Sequence, residues 1–323
     1  MARFPAFRGD GFALKPWLHY VNAEGETAIY ESWEAHCGHA PVYADLDDSS
    51  MAHFKQYYQF VGMDEADRVG FDPYKLKGSK VKIPGNIFVK DVFGGAGIWP
   101  INTKCASNLP GLYAAGDSCA TMSAGGARYG GGGGGILNAA VMGSRAGLGA
   151  AEYASKLKEI TIDKAELTRG KEIVCVPVER KGGFSPRWVT QVLQGIMVPY
   201  FIFKIKHGER LQAALTLVEF MNNHLVPKLQ AKDAHEWRLA QETKNMALNA
   251  EMMLRASLFR TESRGTHFRE DYPRRDDPTW LAWVKMKEEQ GRMKVWKEQI
   301  PKDNWPDLSK SYEERYPYVL PGE

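Results

Sequence analysis

Residues Gly130 to Gly135 are six consecutive glycines, and no other stretch limits the fold so sharply. Each glycine placed inside a helix costs up to about 1 kcal/mol relative to alanine, against a whole-domain stability of only ~5–15 kcal/mol. Such a run is tolerable where something must come close to the backbone. Its flanks say what that is. Leu112 to Ala115 form a short apolar run, opened by Pro110-Gly111 and closed by Gly116-Asp117. That pattern predicts a buried strand delivering Asp117 at its C-terminal edge. After the glycines, a helix pattern runs from Ile136 to about Ser155. A helix N-terminus carries unpaired N–H groups and a partial positive charge, so a glycine approach lets an electron-rich ligand atom rest on those donors. Asp117, ionised, accepts a hydroxyl from the same ligand. The alternative is a flexible glycine linker.

The text GLYAAGD, then Ala127-Arg128-Tyr129 and the glycine run, resembles the C-terminal flavin-binding segment of the fumarate reductase/succinate dehydrogenase flavoprotein family. The resemblance implies FAD as cofactor. It implies cofactor contacts at Gly116, Asp117, Gly131, Gly132, Gly133, Gly134, Gly135 and Ile136, with the acidic residue on the ribityl chain and the helix N-terminus facing the pyrimidine edge. Arg128 is the candidate catalytic residue, binding a substrate carboxylate or delivering a proton; pairing with a structural carboxylate is its alternative. A second stretch, Glu262-Ser263-Arg264-Gly265-Thr266-His267-Phe268-Arg269-Glu270-Asp271-Tyr272-Pro273, resembles the E-S-R-G-x-H-x-R-x-D-[YF]-P text of the same family's helical domain. Its arginines, histidine and carboxylates are expected to form a hydrogen-bonded charge network that fixes the helical domain against the flavin domain, or else a solvated charged surface.

The resemblance covers only the C-terminal half of such a flavoprotein. Before residue 90 there is no G-x-G-x-x-G turn between a strand and a helix to hold the adenosine diphosphate half of FAD. Gly38-His39-Ala40-Pro41-Val42-Tyr43-Ala44-Asp45-Leu46 reads as a turn and a strand, where the family has a Gly-Arg-Gly-Pro-Val-Tyr text in its capping domain. His36 and His39 sit beside it as a candidate pH-responsive pair. Dicarboxylate-acting members carry a histidine four residues before a Gly-Gly. Here Lys90 stands in that position before Gly94-Gly95, and counting from Ala96 instead gives Val92; neither is a histidine, which weakens succinate or fumarate as substrate.

The expected fold class is α/β plus α. Residues 1–85 read as a partial capping domain and 86–156 as the C-terminal segment of a two-dinucleotide-binding FAD domain. Residues 157–290 read as a helical bundle and 291–323 as an extended tail that wraps a surface. Three apolar stripes predict the bundle: Trp188, Val192, Ile196, Tyr200 and Phe203; Leu211, Ala214, Leu215, Val218, Met221 and Leu225; and Trp237, Ala240, Ala247, Leu254 and Leu258.

With 42 basic and 39 acidic residues the formal charge is only +3, so no footprint for nucleic acid stands out. Cys37, Cys105, Cys119 and Cys175 show no C-x-x-C pairing, so no metal site is expected. The N-terminal text lacks the apolar core of a secretory signal. The expectation is a cytoplasmic oxidoreductase, peripheral to a membrane at most through a partner, with hydride passing between FAD and a small organic, carboxylate-bearing substrate. Expected partners are an ADP-binding N-terminal half and an electron-transfer subunit. A noncatalytic binding or assembly subunit is the alternative.

Overall fold

The computed structural model of the 323-residue chain describes residues 19–21, 42–45, 80–83, 97–119, 134–157, 162–203, 205–264 and 267–316. In the N-terminal part, β1 (His19–Val21), β2 (Val42–Asp45) and β3 (Lys80–Ile83) make an antiparallel sheet of order β1-β2-β3. Tyr20 pairs with Ala44, and Ala44 in turn with Val81. The strand expected after Pro41 is therefore β2.

Helix α1 (Gly134–Ala154) starts inside the glycine run, two residues before the expected Ile136. One side of it packs on the loops at 97–119. Gly149 comes so close that an added Cβ would lie 2.9 Å from both Lys104 Cβ and Tyr113 Cε1, and the Tyr113 hydroxyl donates to Gly149 O at 3.0 Å. Ala146 is buried here, whereas Val141 and Leu148 are 42% and 65% exposed. The run Leu112 to Ala115 does not extend into a strand. It makes one antiparallel bridge, Tyr113 to Ala106, closed by Ser107 N–H to Leu112 O at 2.9 Å and Ala114 N–H to Cys105 O at 3.1 Å. The left-handed Cys105 (φ 58°) bends the chain too tightly for a longer ladder.

The helical region follows. Helix α2 (Lys164–Glu179) is capped by Asp163, whose carboxylate accepts the Ala165 amide at 2.8 Å. Pro177 lies inside α2 and removes one backbone donor. Neighbouring carbonyls find partners elsewhere: Trp237 Nε1 and Gln241 Nε2 donate to Val174 O at 2.7 and 3.1 Å, and Ala231 N–H to Pro177 O at 2.7 Å. Next come α3 (Pro186–Met197), the single turn α4 (Tyr200–Phe203), β4 (Ile205–Lys206) and α5 (Gly208–Phe220), which runs on through a wider turn at Met221–Leu225. Then comes the long α6 (Ala234–Phe259), capped by Asp233.

The core lies between α3, α5 and α6. The second expected stripe is buried throughout, from Leu211 to Leu225, and Ala240, Ala247 and Leu254 of the third are buried as well. The first stripe is rotated from expectation. Val189, Leu193 and Met197 face the core, with Val192 and Ile196 half-buried beside them, while Trp188 is 46% exposed and stacks on Phe184 at 5.4 Å. Val189, Leu193 and Met197 recur every four residues, and that row, one position on from Trp188, is the face α3 packs inward.

Beyond α6, β5 (Phe268–Arg269) pairs in parallel with β4. The strands β6 (Ala282–Glu289) and β7 (Arg292–Gln299) form an antiparallel hairpin, so the stretch expected to be an extended tail opens with a strand. At its tip Lys287 stands opposite Lys294, and Glu289 bridges both ammonium groups at 2.7 and 2.8 Å. Hydrogen bonds from Lys287 and then Lys294 pull the Glu289 carboxyl down to about 2. The short helix α7 (Tyr312–Arg315), with a capping box between Ser311 and Glu314, brings the last described residues back onto the body.

Candidate functional site

Residues Gly116–Ser118 form one tight turn, closed by Cys119 N–H to Gly116 O at 3.0 Å. Gly116 is buried and left-handed (φ +61°), and an added Cβ would stand 3.2 Å from Ala139 Cβ on α1. A second close approach lies behind the turn, where an added Cβ on Gly97 would be 2.5 Å from Ser118 O. There the Ile98 amide donates to Ser118 O at 2.9 Å, and Ile98 bridges to Cys119 in parallel. Glycine is required at both points, one by conformation and one by space. The turn thus holds the backbone of Asp117 against the beginning of α1. That helix has no acidic residue in its first turn, so no carboxylate of its own opposes an electron-rich ligand there. Gly134, Gly135 and Ile136 are helical in backbone; Arg128, Gly131, Gly132 and Gly133 lie outside the described residues, as do Lys90, His36 and His39.

The second cluster is described nearly whole. Glu262 is fully buried. Its carboxylate accepts from Arg260, from Arg264 at 2.7 and 2.9 Å in a two-pronged pair, and from the Asp276 amide at 2.9 Å. Arg264 also reaches Asp277 at 2.5 Å and the Tyr316 hydroxyl at 3.3 Å, and that hydroxyl donates to Asp277 at 2.5 Å. Arg315 Nε stands 3.5 Å from the same carboxylate. Burial pushes the Tyr316 phenol up, a direction Asp277 reinforces. Buried charges persist only when so completely paired.

Arg269 and Asp271 do something different. Arg269 is buried and holds Asp271 through two hydrogen bonds, at 2.7 and 2.6 Å. Its remaining amino group donates to Ser257 O at 2.8 Å, Arg260 O at 3.3 Å and Leu258 O at 3.4 Å, the open carbonyls at the C-terminus of α6. Asp271 in turn accepts the Gly208 amide at 3.0 Å, at the N-terminus of α5. A cation on a C-terminus and an anion on an N-terminus both match the helix dipoles, so the pair staples α6 to α5. Partial burial pushes the Asp271 carboxyl up, but Arg269 and Gly208 outweigh it and leave the group below its usual value.

His267 lies between these pairs. Its backbone makes two hydrogen bonds with Arg264, at 2.8 and 3.1 Å, and its ring contacts Arg260 O at 3.3 Å. Burial, then the positive charges of Lys206 and Arg260, hold the imidazole well below its ordinary value, and hence neutral. The expected network exists, and its contacts tie the helices of the C-terminal region to one another. Sequence reasoning missed Arg260, Asp277 and Tyr316 as members; they come from separate, already charged stretches of the chain and meet Glu262 and Arg264 only once it is folded. Among the described residues no group of three or more His, Cys, Asp or Glu could hold a metal ion, and no helix is long and apolar enough to cross a membrane.

Residues 191–312, which contain the hairpin and this network except for Arg315 and Tyr316, match the family model described as fumarate reductase flavoprotein C-term. That region is similar to the C-terminal part of fumarate reductase/succinate dehydrogenase flavoproteins. The chain's similarity to curated relatives extends further toward the N-terminus. It is 25% identical over 223 residues to the succinate dehydrogenase flavoprotein subunit of Bacillus subtilis, covering 66% of this chain and 36% of that one. It is 30% identical over 195 residues to the L-aspartate oxidase of Nostoc, covering 55% and 32%. The fold resembles E. coli quinol fumarate reductase with a TM-score of 0.63 at 18% identity, over 96% of this chain and 57% of that one. The chain therefore spans about a third of the length of these curated flavoprotein relatives.

Proposed function

We propose that this chain is the C-terminal part of an FAD-dependent oxidoreductase that acts together with an ADP-binding half. The observation that carries this reading is the Gly116–Ser118 turn locked onto the beginning of a glycine-opened helix, in a chain whose C-terminal region is similar to that of a flavoprotein family. Two backbone segments meet there, a turn that contains an acidic residue and the first turn of a helix, and an acceptor beside helix N-terminal donors is what a flavin with its hydroxylated side chain calls for. Gly116 and Asp117 would hold the ribityl hydroxyls, and the backbone from Gly131 to Ile136 would meet the pyrimidine edge. When bound, FAD would supply hydride transfer to or from a small organic substrate. Arg128 follows Asp117 by eleven residues and precedes the helix by six. Its planar fork would bind a substrate carboxylate at two points and stabilise negative charge as it develops. The relatives named above act on different compounds by name, so the class of substrate proposed is a small carboxylate and no single acid. An electron-transfer subunit is the further partner this reading calls for.

The test is recovery of the chain from its own host by a C-terminal tag, followed by flavin absorbance and identification of bound polypeptides. The reading expects FAD at one per chain together with a polypeptide bearing a G-x-G-x-x-G turn, and weak or no FAD on the chain alone. Tight, stoichiometric FAD on the isolated chain would show that the divided site is wrong. No flavin in either preparation would favour a noncatalytic assembly subunit.

A further inference from the structure

Trp99 joins two parts of the chain that the motifs treat separately. Its indole meets that of Trp283 on β6 at 4.6 Å between ring centres, tilted by 55°. The Lys285 ammonium lies 4.2 Å from the centre of the Trp99 ring and 5.7 Å from that of Trp283. Lys285 is only 14% exposed in its side chain, and Glu298 holds it from the opposite strand at 2.6 Å. A lysine that gives up water for two aromatic faces and one carboxylate is fixed in position.

Each end of this stack is anchored. Toward the C-terminal region, the buried Arg260 guanidinium donates to Ala282 O at 2.5 Å and to Trp280 O at 3.2 Å, at the start of β6, while pairing with Glu262. Toward the glycine segment, the neighbour of Trp99 is Ile98, whose amide is bonded to Ser118 O at 2.9 Å. The contacts run without a gap from Glu262 through Arg260, the base of the hairpin, Trp283 with Lys285, and Trp99 to the turn at Gly116–Ser118. Such a chain of packed and hydrogen-bonded groups can carry coupling between two sites, and a perturbation measures whether it does.

We propose that Trp283 and Lys285 are positioning residues: by gripping Trp99 they hold the Gly116–Ser118 turn in register with the helical region, coupling the Glu262 cluster to it. That the turn then serves a flavin rests on the functional reading above; the coupling itself does not.

Hydrogen–deuterium exchange on the full chain tests it, because the Ile98 and Cys119 amides are both bonded within the turn, to Ser118 O and Gly116 O. Lys285→Met keeps the stem and removes the charge, and Trp283→Leu removes the ring; Lys287→Ala, at the exposed tip, is the control. The expectation is exchange at least ten-fold faster in peptides containing Ile98 and Cys119 for both test variants, with α5 and α6 protection unchanged. Lys285→Arg should restore the parent rate, and Lys287→Ala should leave it as it was. Unchanged exchange at both peptides overturns the proposal, and so does a speed-up shared equally by α5 and α6, which would mean general loosening. Should exchange respond as expected while no assembly of the chain takes up FAD, the coupling stands and the flavin reading falls.

Discussion

Replacing Glu262 by alanine tests the account of the buried cluster most severely. Its carboxylate receives hydrogen bonds from two arginines and a backbone amide. Hydrogen bonds to charged groups are worth about 1.5–3 kcal/mol each, so simple addition would exceed the whole stability of a domain. The relevant quantity is what remains after the change. Arg260 and Arg264 stay in place, with side chains only 10% and 15% exposed and one counter-charge fewer. Breaking a buried pair in this way costs about 3–5 kcal/mol. Arg264 keeps Asp277, which favours the lower end of that range. Urea unfolding followed by circular dichroism should show the midpoint falling by the equivalent of about 3 kcal/mol with an unchanged slope. Coupling between Glu262→Ala and Arg264→Met should amount to about 0.5–3 kcal/mol, the double variant losing less than the sum. A loss under about 1 kcal/mol, with no coupling, would refute the claim that these charges are desolvated and mutually dependent.

Three further outcomes are expected. His267 stays neutral in the folded chain while an unfolded histidine titrates near 6.5, so the unfolded state binds more protons below that pH. Stability is therefore full above about 6.5 and falls by up to ~1.4 kcal/mol per unit as pH drops below it, and His267→Gln should flatten that slope in denaturation curves taken between pH 7 and 5. Gly116→Ala places a Cβ on a left-handed residue and against Ala139, and thermal unfolding should reveal a loss of roughly 1–2 kcal/mol; an unchanged midpoint would show that the turn has slack. In the complete flavin-loaded assembly, Arg128→Lys should cut turnover ten-fold or more, at least about 1.4 kcal/mol of transition-state stabilisation, with flavin content unchanged. Turnover within two-fold of the parent would remove Arg128 from the catalytic assignment.

What the sequence made legible depended on whether the cause was local. The glycine run announced a helix start, because the demand for close backbone approach is written in consecutive residues, and α1 begins inside that run. The stripe from Leu211 to Leu225 declared its buried face for the same reason, since helical spacing alone sets which side chains share it. The E-S-R-G stretch was recognisable, but its partners Arg260, Asp277 and Tyr316 come from separate segments. The hairpin escaped notice because its alternation is blurred: Trp283, Lys285 and Lys287 share one face, and a lysine does not read as buried until Trp99 is beside it. The face of α3 was misread because Trp188 is the largest apolar residue of its stripe, and size suggested burial that the position does not provide.

The pairs at the hairpin tip bear on how copies of this chain meet one another. A two-stranded ribbon has two open edges, each a template onto which another chain can add a strand. Near the tip, Lys287 on β6 and Lys294 on β7 carry exposed ammonium groups, one on each strand of the ribbon. Lys287 and Lys294 would repel each other across the ribbon if Glu289 did not neutralise them. The carboxylate settles the like charges within one hairpin, and a second hairpin brought alongside would meet lysines with no such mediator. At low ionic strength concentrated protein should consequently resist edge-to-edge stacking, and added salt, by screening the ammonium groups, should weaken that resistance.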